Sequence, residues 1–189
     1  MGKFEILKTK LLDVVLIRPK IFNDSRGFFL EVYNKKEMAE VGVYENFVQD
    51  NVSCSSKGVI RGLHFQTEHA QGKLIKVLRG KIFDAIVDIR CGSPTYGLQI
   101  GLELNCENHC MIYIPAGFAH GFMALEDNTE VMYKVTEYYD PTFDAGIIWN
   151  DPEIGIAWPF DVYRIPKPIL SAKDAALPFL RDISIPFNY

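Results

Sequence analysis

The chain has 189 residues, 48% hydrophobic and 23% charged, a balance that suits one folded domain over residues 1–189 and excludes a disordered chain. A formal net charge of -4 supplies no basic field for the phosphates of a duplex, which argues against a nucleic-acid partner while leaving a few placed cations free to grip one small diphosphate. No apolar run reaches membrane-spanning length, the amino terminus lacks the core of a signal peptide, and Cys54, Cys91, Cys106 and Cys110 show no C-x-x-C spacing, which together predict no membrane partner and reduced thiols in the cytoplasm.

Turn signals recur between β-rich runs along the whole chain, which predicts an all-β sandwich or barrel with few, short helices. Strands are expected at residues 14–18 and 27–33. Asn34 followed by Glu37 has the reciprocal pattern of a capping box and opens a brief helix ending near Val41. Residues 74–78 and 82–89 are strongly β-forming and flank Arg79-Gly80-Lys81, where glycine permits a positive φ, so two adjacent antiparallel strands joined by a tight turn are predicted. Further strands are expected at 97–104, 109–114, 121–124 and 130–137. The proline-rich stretch 152–168 reads as irregular, because each proline removes a backbone donor and turns its predecessor away from the α region. Ser171 with Asp174 repeats the capping pattern and opens a short carboxy-terminal helical segment.

Polar residues are densest in Gln49-Asp50-Asn51, Ser53, Arg61 to Gln66, and Gln71-Gly72-Lys73. If Arg61 to Gln66 is extended, alternation puts Leu63 and Phe65 on one face and Gly62, His64 and Gln66 on the other. A lone strand histidine is usually just hydrogen-bonded in place. In this company His64 is a candidate proton acceptor near neutral pH, made more basic by a carboxylate on its other nitrogen, for which Asp174 and Asp84 are both candidates. Asp174 is also fully explained as a cap. A second cluster, Pro115-Ala116-Gly117-Phe118-Ala119-His120-Gly121-Phe122, uses proline and two glycines to deliver His120 to the start of a strand. A third, Tyr133-Lys134 with Tyr138-Tyr139, contains a strand tyrosine whose phenol suits a proton donor, although strand tyrosines more often simply pack.

The P-x-G-x-x-H run ending at His120 resembles the second metal-binding motif of cupins. The first such motif needs an H-x-H pair, and His64-Phe65-Gln66 supplies one imidazole without the following glutamate, so a cupin / jelly-roll barrel without metal is expected. Taken together the clusters resemble the dTDP-4-dehydrorhamnose 3,5-epimerase family. The blocks in family order are Gln49-Asp50-Asn51, Gly58 to Gln66, Gln71 to Leu74, Asp88-Ile89-Arg90, Ser93-Pro94-Thr95, Pro115 to Phe122 and Trp149 to Pro152. The chain departs from the family in carrying Asp144 where glutamate is usual and about four extra residues before Leu170.

The resemblance implies a cofactor-independent homodimer acting on a dTDP-sugar in dTDP-L-rhamnose biosynthesis. It places the base on His64, oriented by Asp174, and the proton donor on Tyr133. It gives ligand contacts to Arg26, Glu31, Gln49, Asn51, Arg61, Lys73, His120 and Lys173, with Tyr139 and Asp144 at the same pocket and the Arg26–Glu31 segment serving the neighbouring subunit. Carbons 3 and 5 of a 4-keto sugar both neighbour the ketone, so one site of positive charge or donation beside O4, assigned to Lys73 with help from His120, would serve both inversions. Alternatives on the same scaffold are a C3- or C5-only epimerase or a ketoisomerase for another deoxysugar; a metal-dependent cupin or a non-catalytic sugar-nucleotide binder would use the same pocket differently.

Overall fold

Strand-forming runs separated by glycine, proline and Asx turns dominate the computed structural model, which describes residues 2–189. In chain order the elements are β1 (Phe4–Leu7), β2 (Val15–Pro19), β3 (Ile21–Asp24), β4 (Gly27–Leu30), α1 (Lys35–Glu40), β5 (Gln49–Ser55), β6 (Ile60–Gln66), β7 (Lys73–Arg79), β8 (Lys81–Asp88), β9 (Gln99–Asn105), β10 (Met111–Ile114), β11 (Phe118–Ala124), β12 (Thr129–Val135) and β13 (Asp144–Gly146). The helical turns α2 (Phe160–Tyr163), α3 (Ala172–Ala175) and a 3-10 turn at Leu180–Asp182 follow. One sheet has the order β1-β2-β10-β7-β12-β5, the other β13-β6-β11-β8-β9, and β3-β4 form a separate ribbon. This is the expected β-sandwich of the cupin type with short helices.

Alternation along the central strands sorts the apolar residues into three clusters, because successive side chains point to opposite faces. Ile75, Val77, Ile82, Ile86, Ile112, Phe122 and Val131 fill the space between the sheets. Leu74, Met111 and Tyr113, on the other face of the six-stranded sheet, are covered by Met38 of α1 and by Val41 and Val43 beyond it. Leu63, Phe65, Ala85 and Val87, on the far face of the five-stranded sheet, are covered by Trp158, Ile165 and Leu180 of the carboxy-terminal segment. Each sheet is thus covered on both faces, which leaves the space between them able to hold a cavity.

The hairpin expected across Gly80 does not form. β7 lies between β10 and β12 in one sheet, and β8 lies between β11 and β9 in the other. Arg79-Gly80-Lys81 is therefore the corner at which the chain changes sheets. Gly80 has φ +74°, and a Cβ there would stand 2.5 Å from Thr129 Oγ1, so the corner requires glycine as a hairpin would. The local signal is the same for both; the partner strands decide.

Asn34 caps α1, its Oδ1 accepting from Lys36 N at 3.1 Å and Glu37 N at 3.4 Å. Glu37 does not complete the box. Its Oε2 instead accepts the backbone N–H of Lys3 at 3.1 Å, tying the helix to the start of β1. The stretch 152–168 is irregular as expected except for α2, a turn that follows Pro159 and stops at Arg164 in the left-handed region. The Trp149-Asn150-Asp151-Pro152 block braces this segment: the Asp151 carboxylate accepts the N–H of Glu153, Ile154 and Leu180, and Trp158 Nε1 donates to the Trp149 carbonyl.

Candidate active site

A cavity of about 290 Å³ opens between the sheets. The six-stranded sheet contributes Lys73 and Ile75 from β7 and Val131 and Tyr133 from β12; the five-stranded sheet contributes Arg61 and His64 from β6 and His120 and Phe122 from β11. Ser171, Lys173 and Asp174, at α3, close one side. His64 and Tyr133 therefore line one cavity from facing sheets.

Strict alternation would turn Arg61 away from His64, three residues on. A bulge prevents this. In the β6–β11 ladder His120 lies opposite His64 and Phe122 opposite Arg61, so three steps on β6 match two on β11. The extra residue is absorbed at Gly62, with φ +117°, where an added Cβ would lie 2.5 Å from Gly121 Cα and 2.7 Å from the His120 carbonyl oxygen. Gly62 and Gly121 thus let two backbones touch, and that contact brings guanidinium and imidazole to the same face.

His64 Nε2 meets Asp174 Oδ1 at 2.5 Å. Burial pushes the Asp174 carboxyl up, but hydrogen bonds from His64 and Ser171, the charge interaction with His64, and the Gly62 N–H outweigh it and hold the group below the usual carboxylate range. Ser171 Oγ accepts the Asp174 N–H at 3.0 Å and donates to Asp174 Oδ2 at 2.7 Å. Ser171 is thus the cap of α3, and Asp174 accepts from the Ser171 hydroxyl instead of from the backbone N–H that a complete capping box would use, which leaves Oδ1 of the same carboxylate to orient His64. The other aspartate open from sequence, Asp84, pairs instead with His120, Oδ2 to Nε2 at 2.8 Å.

The cations are held differently. Arg61 donates through Nε to Ser55 Oγ at 3.0 Å and through Nη2 to the Cys54 carbonyl at 3.3 Å. Lys73 Nζ donates to the His64 carbonyl at 3.4 Å; burial lowers its ammonium to about 8, against the opposing pull of Asp144. Lys173 is ion-paired with Asp144, which also accepts a hydrogen bond from Tyr139 Oη at 2.8 Å. That bond, with partial burial and the charges of Asp144 and Asp140, raises the Tyr139 phenol.

Of the residues singled out in the sequence, Arg61, His64, Lys73, His120, Tyr133, Lys173 and Asp174 line the cavity. Asp144 and Tyr139 are joined to it through Lys173. Gln49 and Asn51 do not line it; they bond each other at 2.8 Å on β5, where Asn51 lies beside Tyr133 in the ladder. Arg26 is ion-paired with Asp24 on the exposed β3–β4 ribbon and Glu31 with Lys3, and neither lines this chain's cavity. The apolar liners Ile75, Phe122 and Val131 went unnoticed in the sequence. Their signal was alternation: each stands two residues from a polar liner on its own strand. Among the described residues no three His, Cys, Asp or Glu side chains converge as metal ligands, and no helix is long and apolar enough to cross a membrane.

Over residues 8–182 the sequence matches the family described as dTDP-4-dehydrorhamnose 3,5-epimerase. The chain is 50% identical over 177 residues to dTDP-4-dehydrorhamnose 3,5-epimerase of Salmonella typhimurium, a match covering 93% of this chain and 94% of that one. It is similar to the crystal structure of dTDP-6-deoxy-D-glucose-3,5-epimerase from Legionella pneumophila in complex with dTDP-4-keto-L-rhamnose, with a TM-score of 0.93, 43% identity and 98% of each chain covered. It is also similar to dTDP-4-dehydrorhamnose 3,5-epimerase from Bacillus anthracis with TDP and PPi bound, with a TM-score of 0.88, 49% identity, and 93% of this chain and 99% of that one covered. A sandwich whose facing sheets bring a carboxylate-backed imidazole and a phenol into one cavity, together with identity of this extent, makes the chain a member of the dTDP-4-dehydrorhamnose 3,5-epimerase family.

Proposed function

We propose that the chain converts dTDP-4-dehydro-6-deoxy-D-glucose to dTDP-4-dehydro-L-rhamnose with His64 as base and Tyr133 as proton donor. The observation that carries this reading is the position of the two side chains on opposite walls of one cavity. Inversion requires a proton to leave one face of the sugar and another to arrive at the opposite face. An acid and base on one wall would only exchange it.

Removal of the proton at C3 or C5 leaves an enolate whose charge rests mainly on O4. Lys73 supplies positive charge beside that oxygen, and one such site serves both carbons because both adjoin the same carbonyl. With its ammonium lowered to about 8, Lys73 is still largely charged at neutral pH. Asp174 holds the His64 ring through Nε2 and leaves Nδ1, which makes no hydrogen bond among the described residues, to take the proton. Arg61 and Lys173 bind the diphosphate, Tyr139 and Asp144 contact the ligand at the rim where they meet Lys173, and Gln49 and Asn51 contact it from β5. The reaction draws on no metal or organic cofactor.

The working protein is a homodimer of single-domain subunits in the cytoplasm, in which Arg26 and Glu31 of one subunit complete the cavity of the other. Support comes from their absence from their own cavity and from the exposed rings of Phe22, Phe28 and Phe29 on the same ribbon. Mixing an Arg26→Ala protein with a His64→Ala protein restores part of the activity if sites are shared; no recovery in a verified mixed dimer refutes sharing.

Running the substrate in deuterated water tests the chemistry. Wild type incorporates deuterium at C3 and C5, and proton NMR of the product reports both inversions, which separates this activity from single-carbon epimerisation or ketone migration. His64→Ala lowers the rate by about 10²- to 10⁴-fold. Undiminished turnover by that variant removes His64 as base, and Tyr133→Phe enzyme that exchanges hydrogen but inverts poorly identifies the donor.

A further inference from the structure

Asp84 is fully buried in β8, in a run that otherwise reads as continuous apolar strand. Its neighbours on the same face, Ile82 and Ile86, belong to the apolar cluster between the sheets. An ionised carboxylate there is costly unless its oxygens are satisfied. Oδ2 meets His120 Nε2 at 2.8 Å, while Oδ1 is buried without a hydrogen-bond partner among the described residues. Packing gives no reason for such a group at this position.

The register supplies one. Asp84 lies opposite Phe122 on β11, and His120, two residues before Phe122, lies opposite His64 on β6. His120 and Phe122 line the cavity and Asp84 does not. The carboxylate therefore meets His120 from the core, behind the edge of the ring that the cavity reaches. A carboxylate accepting from Nε2 fixes a proton on that nitrogen and sets the plane of the ring, which leaves Nδ1 for the ligand.

We propose that Asp84 is a positioning residue for the epimerisation, which acts through His120 by holding Nε2–H and turning the Nδ1 edge of the ring toward the substrate's O4 beside Lys73. With a proton on Nδ1 as well, the ring gives the enolate oxygen a donor whose charge Asp84 balances from behind. Two histidines adjacent across one ladder then have different tasks: His64, backed by Asp174, moves the proton, and His120, backed by Asp84, holds the oxygen. The inference rests on the epimerase reading above.

Asp84→Asn keeps the shape of the side chain and removes its charge. The amide can also turn its NH₂ toward Nε2 and favour the opposite tautomer. The expected result is a kcat lowered by about tenfold to a hundredfold with KM little changed, an unchanged or raised melting temperature, and no further loss when Asp84→Asn is added to His120→Ala. Nitrogen-15 NMR of the wild-type ring should show His120 protonated at Nε2. Equal losses from Asp84→Asn with and without His120, or wild-type kcat in Asp84→Asn, would overturn the proposal. Should the variant not fold, wild-type spectra showing Nε2 unprotonated overturn it, and spectra of the wild type with a bound dTDP-sugar uphold it where both His120 nitrogens carry protons and overturn it where Nδ1 carries none. Failure of the wild type to place deuterium at C3 and C5 would instead sink the epimerase reading itself.

Discussion

Asp84 and Asp88 stand on the same strand, four residues apart, both fully buried, and their surroundings differ in every respect that matters. Asp88 Oδ1 accepts from Arg90 N and Nε at 3.0 Å each; Oδ2 accepts from Arg90 Nη2 at 2.8 Å and from the hydroxyls of Ser93 and Thr95 at 2.6 Å. Burial pushes its carboxyl up, but the hydrogen bonds from Arg90, Ser93 and Thr95 prevail and hold it at about 2. Arg90 in turn reaches Asp13 at 2.8 Å and lies over the rings of Phe118 and Tyr189. This network is closed: it ties the end of β8 to the amino-terminal loop and to the last residue. The Asp84 side is open, with one orphaned oxygen and an imidazole at a cavity wall. A buried polar network with every lone pair used serves the fold, whereas one left incomplete behind a cavity-lining side chain marks a group whose role lies beyond packing.

The contrast can be broken most decisively at Asp88. Asp88→Ala leaves the Arg90 guanidinium buried without its main partner, so the expected loss in urea unfolding is roughly 3–5 kcal/mol, with kcat preserved in whatever stays folded at low temperature. A collapse of kcat in folded protein would erase the distinction between the two aspartates. Next in size, Lys73→Met should lower kcat about 10²- to 10³-fold with the fold intact, the effect of removing one preorganised group beside a developing oxyanion.

Titration sharpens the same comparison. Because the folded state lowers Lys73 from 10.5 to about 8, its charge disappears as pH rises through about 8, and kcat/KM should fall on that alkaline limb. Lys73→Arg, charged throughout, should lose the limb even if its rate is lower. Asp88 gives the opposite signature. Its carboxyl lies below its ordinary 3.8 in the fold, so its contribution to stability is complete above that value and is lost as pH falls through about 2. Acid unfolding of the wild type should therefore steepen in this window, and Asp88→Asn should not show that component. The smallest expected effect is at Ser171: replacement by alanine removes the cap of α3 at a cost of about 1 kcal/mol, and loosens Asp174 enough to lower kcat more than it raises KM.

Much of the site was legible because its residues sit in local patterns. Alternation through residues 62–66 separated His64 from Leu63 and Phe65 correctly. It could not show that Arg61 joins His64, because the bulge at Gly62 depends on Gly121, which is brought beside it by strand pairing. The pairing of carboxylates with imidazoles was left open for the same kind of reason: Asp174 lies 110 residues from His64, and Asp84 lies 36 from His120. The Asp88-Ile89-Arg90 and Ser93-Pro94-Thr95 blocks were visible as separate motifs, but not as two parts of one structural clasp. The resemblance ranked these blocks with the catalytic ones, since motif identity does not say whether a residue serves packing or chemistry.

By itself the sequence determined the β-class, the strand positions near the centre of the fold, and the caps at Asn34 and Ser171. These follow from neighbours along the chain: side-chain period, glycine at positive φ, and hydroxyl or amide caps reaching two or three residues. The tertiary structure alone decided that Gly80 turns a corner between sheets, that His64 faces Tyr133 across a cavity, and that Asp84 stands behind His120. Those outcomes depend on which strands pair and in what register, and pairing energy is shared among residues far apart in sequence, where no local pattern records it.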